Sequence, residues 1–415
     1  MSGTRRRERP TRAGGAALTL HAKAYSDPEV FERERREVFA KAWIVIGHVA
    51  EVAQPGDFAT GEIAGEPVVV VRGEDGELRA FSNICRHRAA RLADGSGSCG
   101  KVLRCPYHGW TYRLDGTLAA MPEGRGFGED FDRDAVRLPE FRVDTLGGLV
   151  FASMDPEIPP VAEWFGDIAE RLESLNIAQL VPLTRRDWQP RAIASDLPGA
   201  LRRRRVDELR GLIPPARFAR FHEEYDHNWK NLADNYLEGY HVPVGHPALL
   251  RLLDYPRYRA TLYERAAWID GPLRDTPSRD GLERLYQRFA EPMPEFPEEL
   301  RGQWTYVHLW PAQFIDIYPD SIDIWQMQPL SPLRTRTNSI LFRSPQESVR
   351  GMLMRRINAR IAAETMDEDV GLIDGVQAGL GSLTYTRGVL NDNENAVGHF
   401  HDLLRAAVPG IDDLG

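Results

Sequence analysis

The chain has 415 residues, yet its three cysteines, Cys85, Cys99 and Cys105, all fall within one stretch of 21. Cys85 is followed two residues later by His87 and Cys105 three residues later by His108, and 17 residues separate the two pairs. Two thiols and two imidazoles in short mixed pairs form a metal-ligand set, since both side chains offer soft or borderline donors. Three cysteines are too few to staple a secreted chain of this length, so their clustering argues for metal rather than disulfides. A structural zinc site of two Cys and two His normally groups like with like, which these pairs do not do. The mixed pairs suit a [2Fe-2S] centre whose one iron takes both thiolates and the other both imidazoles. Neutral imidazole in place of thiolate leaves less negative charge on the oxidised cluster, which then accepts an electron more readily. Cys99 lies between the pairs and has no place in that pattern.

The rest of the chain reads as a globular protein. Apolar residues at 42% and charged residues at 27% exclude wholesale disorder and rod-like folds, and a net charge of −9 argues against nucleic acid as a partner. No apolar run approaches the roughly 18–20 residues that span a bilayer, and the Arg-rich start lacks a signal-type apolar stretch, so a cytoplasmic protein is expected. A helix is expected over 27–42, with Ser26 or Asp27 as cap, Pro28 in the first turn, and Phe31, Val38, Phe39 and Ala42 at helical spacing. Short β-rich runs follow at 67–72, 78–83, 102–107, 111–114 and 148–153. Pro190, Pro198, Pro214 and Pro215 flank an Arg run at 202–205, which reads as an exposed insertion. Helix is expected again over 228–239, strand over 303–318 and 322–330, and one long helix over Val349–Leu380. Without a repeating βαβ rhythm the class is α+β. Gly95-Ser96-Gly97 lacks the third glycine of a dinucleotide fingerprint. The chain divides into a tail and helix (1–42), an all-β domain (43–155) and a larger domain (156–415) carrying the insertion at 191–221.

A second ligand set lies in that larger domain. At about 100° per residue, Asp234, Glu238 and His241 fall within about 60° of one another on one helical face. Pro243 should end the helix, leaving His246 on the turn beyond to approach the same point. Two histidines need a carboxylate to complete a facial triad of the kind that leaves open positions on Fe(II). The helix over 361–380 offers Asp367, Asp369 and Asp374. Asp369 sits within the apolar stripe formed by Ala362, Met366, Leu372, Ile373, Val376 and Leu380, whereas the other two point about 140–160° away from it. A carboxylate on an apolar face needs a partner, which a metal provides. Strand alternation puts Trp304, Tyr306, His308 and Trp310 on one face. With Trp325 they read as core, or as an aromatic wall for a quaternary ammonium. His399 and His401 read as surface residues.

Cys85-x-His87-x17-Cys105-x2-His108, followed by Gly109-Trp110-x-Tyr112 and Leu114-Asp115-Gly116, resembles the cluster motif of Rieske non-haem iron oxygenases. Residues 234–241, with Glu368-Asp369 and Gln377-Ala378-Gly379-Leu380, resemble the catalytic domain of their α-subunits, most closely the choline monooxygenase-like branch. The resemblance covers about 25–190 and 222–405. It implies an N-terminal all-β Rieske domain and a C-terminal domain of helices on an antiparallel, helix-grip-like sheet. It implies a [2Fe-2S] cluster on Cys85, His87, Cys105 and His108, and one Fe(II) on His241, His246 and Asp369 with Asp234 and Asn235 behind them. Glu238 would bridge His241 to the partner subunit's His108 in a homotrimer. Electrons would come from NAD(P)H through a separate reductase or ferredoxin, and O2 would be used to hydroxylate or N-demethylate a small organic substrate. Aromatic-ring dihydroxylation is the alternative. A stand-alone Rieske electron carrier would need only the first of the two folded domains.

Overall fold

The computed structural model describes residues 17–128, 130–183 and 221–414, so most of the Arg-rich insertion expected at 191–221 lies outside the described residues. Helix α1 (Pro28–Glu34) starts where the sequence places it: the Asp27 carboxylate accepts hydrogen bonds from the Glu29 and Val30 amides, and Pro28 occupies the first turn. It continues as a π-helical turn over Arg35–Phe39. A seven-stranded antiparallel sheet follows, made of β1 (Ile44–His48), β2 (Asp57–Ile63), β3 (Glu66–Arg72), β4 (Leu78–Ser82), β5 (Ser96–Ser98), β9 (Glu140–Leu146) and β10 (Leu149–Ser153), in the order β1-β10-β9-β4-β3-β2-β5. β6 (Val102–Arg104), β7 (Thr111–Arg113) and β8 (Leu118–Ala120) form a separate small sheet. The unbroken valine run of β3 has a physical reason: Val68 and Val70 pack into one core while Val69 and Val71 pack into another around the cysteines, so both faces are buried.

Helices α2 (Val161–Phe165) and α3 (Ile168–Ser174) lead to an eight-stranded antiparallel sheet. It comprises β11 (Val181–Pro182), β12 (Phe221–Tyr225), β13 (Arg259–Tyr263), β14 (Ala266–Pro272), β15 (Gln303–Leu309), β16 (Gln313–Tyr318), β17 (Ser321–Ser331) and β18 (Arg334–Arg343). One face, with Val307, Ile315, Ile317, Ile322 and Ile324, joins a buried core with α2 and α3. The single strand expected over 303–318 is two strands, since Pro311 in the cis Trp310–Pro311 turn has no N–H to give to a ladder. Trp310 lies past the end of β15, so strand alternation no longer fixes its face, and it packs against Phe400, as His308 does.

Helices α4 (Trp229–Tyr236), α5 (Val242–Gly245), α6 (Pro247–Leu252), α7 (Gly281–Phe289), α8 (Val349–Leu380) and α9 (Asn395–Ala407) complete the domain. The helix expected through 239 stops at Tyr236. Consequently Asp234, Glu238 and His241 do not share a helical face. The span of α8 is the expected one, capped by the Ser348 hydroxyl on the Gly351 amide.

The N-terminal helix is locked to α4 through charge. Lys230 Nζ donates to Glu34 Oε1 at 2.6 Å and Trp229 Nε1 to Glu34 Oε2 at 2.9 Å, with both charged side chains at most 1% exposed. Burial lowers the pKa of Lys230, and the Glu34 charge works against that. Glu34→Ala therefore strands a buried ammonium and should cost about 3–5 kcal/mol in urea unfolding. The double variant Glu34→Leu with Lys230→Met should recover most of the loss.

Two candidate metal centres

Two loops of nearly identical backbone present the Cys-His pairs. After β4 the Cys85 amide bonds to Ala90 O and its carbonyl accepts from the Ala89 amide; between β6 and β7 the Cys105 amide bonds to Trp110 O and its carbonyl accepts from the Gly109 amide. The fifth residue of each loop is left-handed, Ala89 at φ 55° and Gly109 at φ 71°. The loops bring His87 Nδ1 within 3.1 Å of His108 Nδ1. Two nitrogens each about 2.1 Å from one metal ion have about that separation. Cys85 and Cys105 are buried, whereas His108 is partly exposed and Tyr107 is exposed beside it. The Tyr112 hydroxyl sits 3.3 Å from Cys85 Sγ and accepts from the Arg86 amide, and Trp110 stacks on His87 with ring centroids 4.9 Å apart. Burial raises the Cys85 thiol pKa, with the Tyr112 bond opposing it, so a metal is what would hold that sulfur as a thiolate. The four donors fit a [2Fe-2S] cluster. Cys99 instead donates to Gly56 O.

The second centre draws on three segments. His241 lies just before α5, His246 between α5 and α6, and Asp369 in the middle of α8. His241 Nε2 is 3.0 Å from His246 Nε2, and Asp369 Oδ1 is 2.9 Å from His246 Nε2 and 3.6 Å from His241 Nε2. These donors lie within 4.8 Å of one another, and two imidazoles with one carboxylate suit a facial iron triad. Burial opposes charge on His246, yet its bonds to Asp369 and Glu368 outweigh that and raise its pKa.

Behind each imidazole stands a carboxylate. Glu238 accepts the Nδ1–H of His241 and also the Tyr240 and His241 amides. Glu368 accepts the Nδ1–H of His246 at 2.8 Å. Both arrangements aim Nε2 at the common point. Residue spacing had pointed to Glu238 but gave Glu368 no role. The usable signal was chemical, because a metal-binding histidine nearly always gives its other N–H to an acceptor.

The remaining expectations fare unevenly. Asp234 faces away from the triad, accepting from Tyr25 OH at 2.6 Å and from His401 Nε2 at 2.9 Å. His401, expected at the surface, is therefore buried. Asn235 is partly exposed on the last turn of α4 and makes no hydrogen bond to His241 or His246 among the described residues. Asp374 is the partner of His227 Nε2 at 2.7 Å, and Asp367 is exposed. The apolar stripe of α8 is only partly buried: Ile373 is covered, but Met366, Leu372 and Val376 are exposed.

Residues 42–139 match the Rieske [2Fe-2S] domain family, and residues 215–410 match the ring hydroxylating alpha subunit (catalytic domain) family. The carnitine monooxygenase oxygenase subunit of Escherichia coli (strain K12) is 30% identical over 402 residues, covering 94% of this chain and 93% of its own length. The chloroplastic choline monooxygenase of Arabidopsis thaliana is 28% identical over 391 residues, covering 94% of this chain and 82% of its own length. The crystal structure of the quaternary ammonium Rieske monooxygenase CntA with L-carnitine aligns at a TM-score of 0.73 and 26% identity, over 94% of this chain and 96% of that one. Naphthalene 1,2-dioxygenase from Rhodococcus sp., at 18% identity and a TM-score of 0.67 over 94% of each chain, shares the fold.

Metal analysis separates the roles of the two acidic neighbours on α8. Asp369→Ala should lose the non-cluster iron and keep the cluster absorbance. Glu368→Gln should keep the site but weaken its iron affinity by about 10- to 100-fold in chelator competition. Loss of iron in Asp367→Ala, with Asp369→Ala unaffected, would reverse the assignment.

Proposed function

The chain belongs to the Rieske non-haem iron oxygenase α-subunits, and we propose that within them it is a monooxygenase of a small quaternary amine, oxidising a carbon on or near the nitrogen. As a terminal oxygenase it activates O2 at a mononuclear non-haem iron, with electrons passed on from a reductase by its Rieske cluster. We assign the cluster to Cys85, His87, Cys105 and His108, and the iron to His241, His246 and Asp369. We divide the chain at about residue 155 and place it in the cytoplasm, where thiols stay reduced.

One observation carries the choice of substrate: a carboxylate held among aromatic rings against Tyr236, the last residue of α4 and two residues before Glu238. Asp316 accepts from Tyr236 OH at 2.6 Å and from Trp325 Nε1 at 3.0 Å, and Tyr236 packs edge-on against Tyr306 and Trp325. Aromatic faces with a nearby anion favour a cationic ammonium, whereas a neutral aromatic substrate would gain nothing from the buried charge.

Glu238 holds the proton on His241 Nδ1, and in this reading it also faces the partner subunit's His108. Support comes from surface chemistry. Tyr107 is exposed beside His108, Tyr240 and Val244, the latter 88% exposed, flank His241 in the chain, and the exposed Leu372 reaches Gly245 near the His241 ring. An exposed apolar patch of this kind marks an interface, here that of a homotrimer. A separate reductase or ferredoxin would supply the electrons.

Three measurements test this reading. With a reductase supplied, O2 uptake and product analysis should show oxidation of a quaternary amine from a panel that includes choline, L-carnitine and glycine betaine; products only from aromatic acids would overturn it. Glu238→Gln should retain both metals and normal cluster reduction, yet lose turnover by at least about a hundredfold. Mixed trimers of His108 and His241 variants should regain part of the activity if transfer crosses subunits.

A further inference from the structure

The Gln377-Ala378-Gly379-Leu380 segment lies on α8, and its glutamine stands just over two turns beyond Asp369, about 12 Å along the helix axis. There Gln377 Oε1 accepts the Asn228 backbone N–H at 2.9 Å and the Asn231 Nδ2–H at 3.4 Å. Only an oxygen can face a backbone N–H, which fixes the orientation of the Gln377 amide. Asn231 Nδ2 also lies 3.4 Å from Ile373 O, and His227 Nε2 lies 2.7 Å from Asp374 Oδ1. His227, Asn228 and Asn231 are all buried, whereas the Asp374 side chain is 66% exposed. Solvent therefore screens the Asp374 contact, and the bonds to Gln377 are the directional ones.

The partners on the α4 side are themselves fixed. Asn228 Oδ1 caps α4 at the Lys230 amide, Asn228 Nδ2 donates to Pro332 O at 2.7 Å, and Thr335 Oγ1 donates to His227 O at 2.8 Å, which ties the start of α4 to β18 and the turn before it. Helices α4 and α8 run antiparallel. The start of α4 meets α8 at Ile373, Asp374 and Gln377, and the chain beyond its end meets α8 at Asp369 through His241. The metal ligands and the Gln377 bonds are thus two cross-links between the same pair of segments. Apolar packing does not set the register between them, because it is non-directional and Met366, Leu372 and Val376 of α8 are exposed. Polar contacts among buried groups fix it instead, since a displacement of α8 along or about its axis strains both bonds to Gln377 at once.

We propose that Gln377 is a positioning residue of the oxygenase: by holding the Asn228 amide and Asn231 it sets the place of α8 against α4, and through α8 the place of Asp369 and Glu368 opposite His246. This rests on the assignment of the iron to His241, His246 and Asp369 above. Asp369 Oδ1 and Glu368 Oε2 meet the two ring nitrogens of His246 at 2.9 and 2.8 Å, so a shift of α8 misaligns both carboxylates together. A metal closes one cross-link between the two segments, and Gln377 closes the other without metal. The ligand and its supporting carboxylate are therefore in place before iron binds.

The test compares Gln377→Met, which fills the same space with no oxygen acceptor, with Gln377→Glu, which keeps an oxygen for the same two donors. Chelator competition for the non-cluster Fe(II), the EPR signal of its nitric oxide adduct, the cluster absorbance and the thermal midpoint are read on each full-length variant. Gln377→Met should weaken Fe(II) binding at least about fivefold and broaden the nitric oxide signal, with the cluster absorbance unchanged. Gln377→Glu should bind Fe(II) within about twofold of the unaltered protein and restore that signal. A lower thermal midpoint in Gln377→Met with Fe(II) binding and signal unmoved would reduce Gln377 to packing and overturn the proposal, as would equal losses in Gln377→Glu. Asp369→Ala separates the two readings. Iron retained there removes the triad assignment and this inference with it, whereas iron lost there, beside normal Fe(II) binding in Gln377→Met, overturns the positioning role alone. Should Gln377→Met not fold, Gln377→Asn, one methylene shorter, is read by the same measurements, and unweakened Fe(II) binding in it overturns the proposal.

Discussion

Three donor atoms from distant parts of the chain crowd into one small volume: His241 Nε2, His246 Nε2 and Asp369 Oδ1, with separations of 3.0, 2.9 and 3.6 Å. Two imidazole lone pairs and a carboxylate at such range repel unless a proton or a metal lies between them. Much of the surrounding architecture serves to hold them there. The stop of α4 at Tyr236 frees residues 237–241 to turn back, and the short helices α5 and α6 then set His246 against the middle of α8. Glu238 and Glu368 settle which ring nitrogen of each histidine carries the proton. The cluster site repeats the logic on a smaller scale, with two matching loops that converge two histidines and two buried sulfurs.

That precision needs a rigid support, and buried polar contacts provide it. Glu34 holds Lys230 and Trp229 at the start of α4, while Asp234 in its last turns is held by Tyr25 and His401. A helix clamped at both ends by largely buried groups is held in one position, since breaking the Glu34 contacts leaves a buried charge unpaired and breaking those of Asp234 leaves the buried Tyr25 and His401 without it. The face of α4 away from the metal is thus tied to the N-terminal segment and to α9, and its C-terminal end delivers the ligands. This assigns Asp234 to support rather than to the metal surroundings.

Which features were legible in the sequence depends on how local their causes are. The ligand pairs were readable because cysteine and histidine at short spacing have few structural alternatives. The start of α1 and the span of α8 were readable from capping residues and period. The end of α4 was not, because the chain leaves the helix around Gly239, where the Tyr258 ring packs so closely that a side chain there would clash, a contact no local pattern records. Asp369 lies in an apolar stripe, yet Met366, Leu372 and Val376 of that stripe are exposed, so the stripe is only in part a core face. Glu368 and His401 were missed for a common reason. Each acquires its role from a partner more than a hundred residues away, which no local pattern records.

The aromatic face formed by Tyr236, Tyr306 and Trp325 lies against the end of α4. The central claim, that electrons held at the cluster are spent at the His241–His246–Asp369 iron on an amine, has one direct test. Fully reduced protein, freed of reductase and mixed once with O2 and choline, should lose the reduced-cluster EPR signal within the turnover time and form at most one oxidised amine per subunit. Asp369→Ala, treated identically, should keep that signal over the same interval and form no product. Equally fast loss of the signal in Asp369→Ala, or loss without an oxidised amine in the unaltered protein, would contradict the account.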